Sequence, residues 1–338
     1  MKKFFALLFT FCVLNSVVFA ESSDSKIYDV SMTNDGSKKF IKSINKKYFN
    51  NSPRNIKNVK ENLNEEYTLS KKVKEIPDIE VSDNGGIYVI KINTKKVGDL
   101  FKPYYVSNLK TNKEVFDETK ARLVVNAGFF DPKNHQTVSY LTLNGNLVLD
   151  PHNNKSLIEN KYLKPYMDKI LNRSELRVLQ SRFDDSLLFD IAPHDEPAPA
   201  GYNILHAIQG GPALAPILRL EEEFFVLTDD EGKIISQSAS SLSKYARTLV
   251  GIKNNNVYFV IATNSKPITL IEASQIMKDM GFKKAMAFDG GGSVSVDFRD
   301  TNLHIISDKN ETARKLKSFW IVMPNLNKSD NHQKYITE

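Results

Sequence analysis

The chain has 338 residues, one cysteine, a formal charge of +6 and a pI near 9.0. That length allows one large domain or two medium ones, and the mild basicity suits an anionic substrate or surface without requiring one. Because Cys12 lies among the first twenty residues, the remainder has no thiol, which excludes disulfides, a cysteine zinc site and a cysteine nucleophile there.

Lys2 and Lys3 precede an apolar run, residues 4–19, that ends in Val18-Phe19-Ala20 before the polar Glu21-Ser22-Ser23-Asp24. A charged start, an apolar middle and a small residue before a polar break form the pattern of a secretory signal peptide over residues 1–20. The run is short for a membrane span and contains Asn15, and no later stretch is apolar for long enough to cross a bilayer. The expectation is an exported protein, periplasmic or secreted, with no transmembrane segment after cleavage. Residues 21–84 are rich in Lys, Asn, Ser and Glu without an apolar period, so they read as a polar basic linker or arm.

Regular structure is expected from Gly85-Gly86, with a strand over 87–92, a short helix over 112–120 and a buried strand over 122–125. Asn144-Gly145 between two apolar runs predicts a hairpin over 138–149. A helix over 156–171 despite Pro165, and strands over 176–179 and 187–189, precede a loop marked by Pro193, Pro197 and Pro199. A buried strand over 204–208 contains His206, which reads as a core residue, and 236–243 is a serine-rich loop. A second hairpin over 247–262 leads to a helix over 269–280 with Leu270, Ala273, Ile276, Met277 and Met280 on one face, stopped by Gly281. Strands near 285–288, 304–306 and 319–323 follow, and 326–338 is a polar tail. The fold class is α+β: a single domain over 85–325 with a mixed β-sheet and few helices.

Three times an apolar strand ends in a polar, glycine-containing turn: at Asn126-Ala127-Gly128-Phe129, at Gln209-Gly210-Gly211-Pro212 and at Asp289-Gly290-Gly291-Gly292-Ser293. Three glycines in a row remove every Cβ and let another group approach, and successive N–H groups in such a turn form an anion-binding concavity. Strands lying side by side in one sheet would bring these tips to one place. A tight turn opened by Asp is the plainer account of the last motif taken alone.

These motifs, with Arg247-Thr248-Leu249-Val250-Gly251 and the block from Leu270 through Glu272 and Gly281 to Ser293, resemble the phosphodiester glycosidase family over about residues 85–325. Ala127 stands where a second glycine is usual, and Phe288 and Val294 stand where Leu and a second Ser are frequent. The resemblance implies hydrolysis of a sugar-1-phosphodiester at the sugar carbon, giving free sugar and a phosphomonoester. It makes Asp289 the leading catalytic carboxylate, with Glu272 and Asp131 as candidate partners, since glycoside hydrolysis commonly uses paired carboxylates. Arg247 becomes the leading phosphate clamp, although an arginine opening a strand also suits a surface ion pair. Asn126, Gly128, Phe129, Gln209, Gly210, Gly211, Thr248, Asn264, Gly290, Gly291, Gly292 and Ser293 are the expected substrate contacts.

Glu272 on its helix also fits a solvated role, Asp131 before Pro132 a turn, and Phe129 or Phe130 the core. The histidines show no His-Glu-x-x-His spacing, and the sequence requires no cofactor; a Ca²⁺ site of scattered oxygen ligands stays open. The expected partner is a sugar-phosphate glycoconjugate or envelope polymer, with no nucleic-acid module in the chain. A metal-dependent phosphodiesterase cutting the P–O bond and a non-catalytic glycan-binding protein are the alternatives.

Overall fold

The computed structural model describes residues 77–238, 241–307 and 313–325. The expected signal peptide, most of the basic arm, Ala239 and Ser240 of the serine-rich loop and the polar tail lie outside those residues.

The protein is mostly β-sheet with few helices, and the sheets are not mixed: every described pairing between strands is antiparallel. A six-stranded sheet runs in the order Ile79–Asp83, Ile87–Ile92, Asn256–Ala262, Arg247–Lys253, Lys284–Ala287 and Ala213–Ala215. A five-stranded sheet has the order Leu303–Ile306, Ser295–Phe298, Leu123–Asn126, Leu316–Val322 and Phe101–Lys110. A second five-stranded sheet has the order Asn146–Leu149, Leu141–Leu143, Tyr202–Gln209, Ser174–Ser181 and Leu187–Pro193.

The inner faces of these three sheets meet in one core, because buried apolar rows contributed by each can be covered only by the others. Phe101 marks the meeting point. Its ring stacks on Trp320 at 4.5 Å and touches Phe259 of the six-stranded sheet at 6.2 Å and Phe189 of the third sheet at 6.1 Å. The Leu270–Asp279 helix covers the other face of the six-stranded sheet with Leu270, Ala273 and Met277, as its apolar spacing predicts.

Several elements differ from expectation. The first described strand, Ile79–Asp83, starts upstream of Gly85 and pairs with Ile87–Ile92 across the Gly85-Gly86 turn. The helix expected over 156–171 is broken into short turns, Lys155–Ile158, Lys164–Tyr166 and Met167–Leu171, with Pro165 inside the middle one. The Phe101–Lys110 strand carries too many polar residues to read as one, and is held by pairing with Leu316–Val322.

Candidate functional site

The three glycine turns do come together, from three different sheets rather than from neighbouring strands of one. Asn126 ends a strand of the first five-stranded sheet, Gln209 a strand of the second, and the Lys284–Ala287 strand belongs to the six-stranded sheet. Backbone hydrogen bonds join the tips. The Asp289 N–H donates to the Ala127 carbonyl at 3.0 Å, the Gly211 N–H to the Ala287 carbonyl at 2.8 Å, and the Phe288 N–H to the Thr248 carbonyl at 2.8 Å. Glycine is needed for these contacts: a β-carbon on Gly210 would stand 2.6 Å from the Ala287 carbonyl oxygen, and one on Gly128 would stand 2.9 Å from the Ser139 β-carbon.

Most of the polar side chains expected to touch substrate are engaged in bracing this junction. Asn126 is buried; its Nδ2 donates to the Asp289 carbonyl at 2.7 Å, and its Oδ1 accepts from Thr248 Oγ1 at 2.6 Å and the Ser295 N–H at 3.1 Å. Gln209 turns away, donating through Nε2 to the Leu171 carbonyl at 2.6 Å. Arg247 is buried, with Nε donating to the Ile268 carbonyl at 3.1 Å and Nη2 to the Ser243 carbonyl at 2.9 Å; burial pushes its pKa down to about 10.

The candidate partner carboxylates also have local partners. Glu272 closes the capping box of its helix with Thr269, accepting from the Thr269 N–H at 2.8 Å, and lies 3.2 Å from Lys244 Nζ. Asp131 is buried and accepts from the Lys133 N–H at 2.8 Å, the geometry of a turn. Asn264 donates to the Ser307 carbonyl at 2.9 Å, and Phe129 packs in the apolar cluster against Phe225.

Asp289 is different. Its side chain is buried at the junction, and burial pushes its carboxyl pKa up to about 6 against the opposing effects of the Ser293 hydroxyl, the Arg314 charge and the Gly290 N–H. A carboxyl held there exchanges its proton near neutral pH, which suits acid–base work. Gly290, Gly291 and Gly292 are partly exposed around it.

Two residues of this region escaped the sequence reading. Arg314 donates through Nη1 to Ser293 Oγ at 3.2 Å, yet it stands in a polar stretch with nothing to single it out. Glu223 is fully buried behind Gly211, accepting from Ser174 Oγ at 2.8 Å and from the Ser174 and Ala213 N–H groups, both at 3.1 Å. Its carboxyl pKa is raised by burial. Three glutamates in a row, Glu221-Glu222-Glu223, conceal which one turns inward.

Among the described residues, no group of three or more His, Asp or Glu side chains is arranged to hold a metal ion, and no helix is long and apolar enough to cross a membrane.

The family model for phosphodiester glycosidases matches residues 119–323, which include all three glycine turns and Asp289. The chain belongs to the phosphodiester glycosidase family. The fold agrees. The catalytic domain of zebrafish N-acetylglucosamine-1-phosphodiester alpha-N-acetylglucosaminidase, auto-inhibited by its pro-peptide, superposes with a TM-score of 0.52 at 14% identity, over 75% of this chain and 85% of that one. A hypothetical protein from Synechocystis gives 0.48 at 13% identity over 73% and 64%, and a putative exported protein from Burkholderia pseudomallei 0.47 at 13% over 70% and 74%. No curated protein sequence matches. In this member of the family the glycine turns join three sheets, and Asp289 lies at their junction.

Proposed function

We propose that the protein is an exported glycosidase that hydrolyses a sugar-1-phosphodiester of an envelope polymer or glycoconjugate, with Asp289 as the reacting carboxylate. The carrying observation is a buried carboxyl with its pKa at about 6, at the junction of three glycine turns in a member of this family.

The chemistry follows from that proton affinity. Ionised Asp289 takes a proton from water as the water oxygen bonds to the anomeric carbon; the bond from that carbon to the phosphate oxygen breaks, and the electron pair leaves with the phosphomonoester. A phosphomonoester needs little protonation to depart, so support of its charge replaces much of the acid catalysis that a sugar hydroxyl would require. The name of the zebrafish relative makes an N-acetylglucosamine phosphodiester the first substrate to try. Export is read from the first twenty residues, and the N-terminal sequence of the protein recovered from outside the cytoplasm tests it.

Hydrolysis in heavy-oxygen water tests the reaction. The label is expected on the sugar. Label on the phosphate product would instead favour cleavage of the P–O bond, and no release from any sugar-1-phosphodiester would favour a binding protein.

A further inference from the structure

We infer that the group gripping the substrate's phosphate is Arg314, acting with Ser293, and that Arg247 is a brace. This deepens the proposed function and rests on it for the identity of the anion. The two arginines lie against different residues of the same glycine run. A β-carbon on Gly290 would stand 3.5 Å from Arg247 Cδ, while one on Gly292 would stand 2.6 Å from Arg314 Nη2 and 3.0 Å from its Cζ. Glycine at position 292 therefore makes the room in which the Arg314 guanidinium lies.

Burial separates the two guanidiniums. Arg247 is buried, and its Nε and Nη2 hold the carbonyls of Ile268 and Ser243, which fixes the chain entering the Arg247–Lys253 strand. Arg314 is only half-buried and donates to the hydroxyl of Ser293. The same hydroxyl and the Arg314 charge both work to lower the Asp289 carboxyl pKa against its burial. A phosphate oxygen placed on Arg314 would thus stand beside the group that works on the anomeric carbon, with a cation between two anions that would otherwise repel. A planar guanidinium can hold two phosphate oxygens at once, which a lysine ammonium cannot do.

Gly292→Ala tests this without removing any charge. Its backbone does not have a positive φ, and the atoms nearest the added methyl are all at the far end of the flexible Arg314 side chain, so the variant is expected to fold while displacing the guanidinium. Binding of inorganic phosphate is measured by calorimetry on the wild type, Gly292→Ala, Arg314→Ala and Arg314→Lys, with KM for the phosphodiester measured alongside. Loss of a charge-assisted contact predicts phosphate affinity roughly 10-fold or more weaker in Arg314→Ala, with KM rising in parallel. Gly292→Ala and Arg314→Lys should fall between Arg314→Ala and the wild type.

Equal phosphate affinity in wild type and Arg314→Ala, or unaltered affinity in both milder variants, would overturn the assignment; so would a wild type that binds no phosphate. If the wild type binds phosphate through Arg314 but cleaves no sugar-1-phosphodiester, the assignment stands and the proposed reaction fails. If the wild type cleaves and Arg314→Ala leaves KM unchanged, the reverse holds.

Discussion

The Gly210-Gly211-Pro212 turn and the Gly290–Ser293 turn are alike in composition, and each has a buried carboxylate beside it, Glu223 and Asp289. They differ in what occupies the space that glycine leaves. Around Gly210 it is the Ala287 carbonyl with the Met286 and Phe288 side chains, and beside Gly211 it is the Glu223 carboxylate, whose oxygens accept from Ser174 and Ala213. Around Gly292 it is a half-buried guanidinium, and the neighbouring carboxylate has a pKa of about 6. A glycine-rich turn after a buried strand is therefore not yet a site. Both turns join sheets, and under the proposed function only the second also presents chemistry.

Removing the brace should have the largest effect. Glu223→Ala leaves three donors buried without an acceptor, and an expected loss of about 4 kcal/mol follows from roughly 1–3 kcal/mol for each unmet group, with partial relaxation. Gly210→Ala drives a methyl against backbone that cannot swing aside, and about 3 kcal/mol is expected from overpacking. Chemical denaturation measures both, and a loss under about 1 kcal/mol in either would show that the junction is softer than its contacts imply.

Asp289→Asn should do the opposite near neutrality. The folded carboxyl holds its proton more tightly than the unfolded chain does, so burial costs stability progressively as pH rises from about 3.9 to the folded value, and the whole cost, about 3 kcal/mol, applies above that window. Asp289→Asn has no such ionisation, so its stability relative to wild type should climb between about pH 4 and pH 6 and level off above. A difference that stays flat with pH would mean that Asp289 is not held in the state described. The smallest effect belongs to Gly292→Ala, within about 0.5 kcal/mol of wild type, because the arginine end can move.

Much of this was legible in the chain. Polar glycine turns after apolar strands identify all three tips, because only an unusual backbone requirement explains glycine there, and the Leu270–Asp279 helix follows from its apolar period and Thr269–Glu272 cap. The assembly of three antiparallel sheets was not legible, since strand pairing between distant segments leaves no local pattern, and the polar Phe101–Lys110 strand shows why. Residue type alone does not separate bracing from binding within the site. Asn126 and Gln209 have the chemistry of sugar ligands, but their amides hold backbone groups at a buried junction. Arg314 is placed by the Leu316–Val322 strand that follows it, and that strand's register is a property of the fold.

The most direct test of the account compares turnover of a sugar-1-phosphodiester by Asp289→Asn and Glu223→Gln, each confirmed as folded by its unfolding transition. Losing the proton-transfer group predicts a kcat roughly 10²–10⁴-fold lower in Asp289→Asn, while folded Glu223→Gln stays near wild type. Unchanged turnover in Asp289→Asn, or an equal loss in folded Glu223→Gln, would contradict the division between a turn that braces and a turn that reacts.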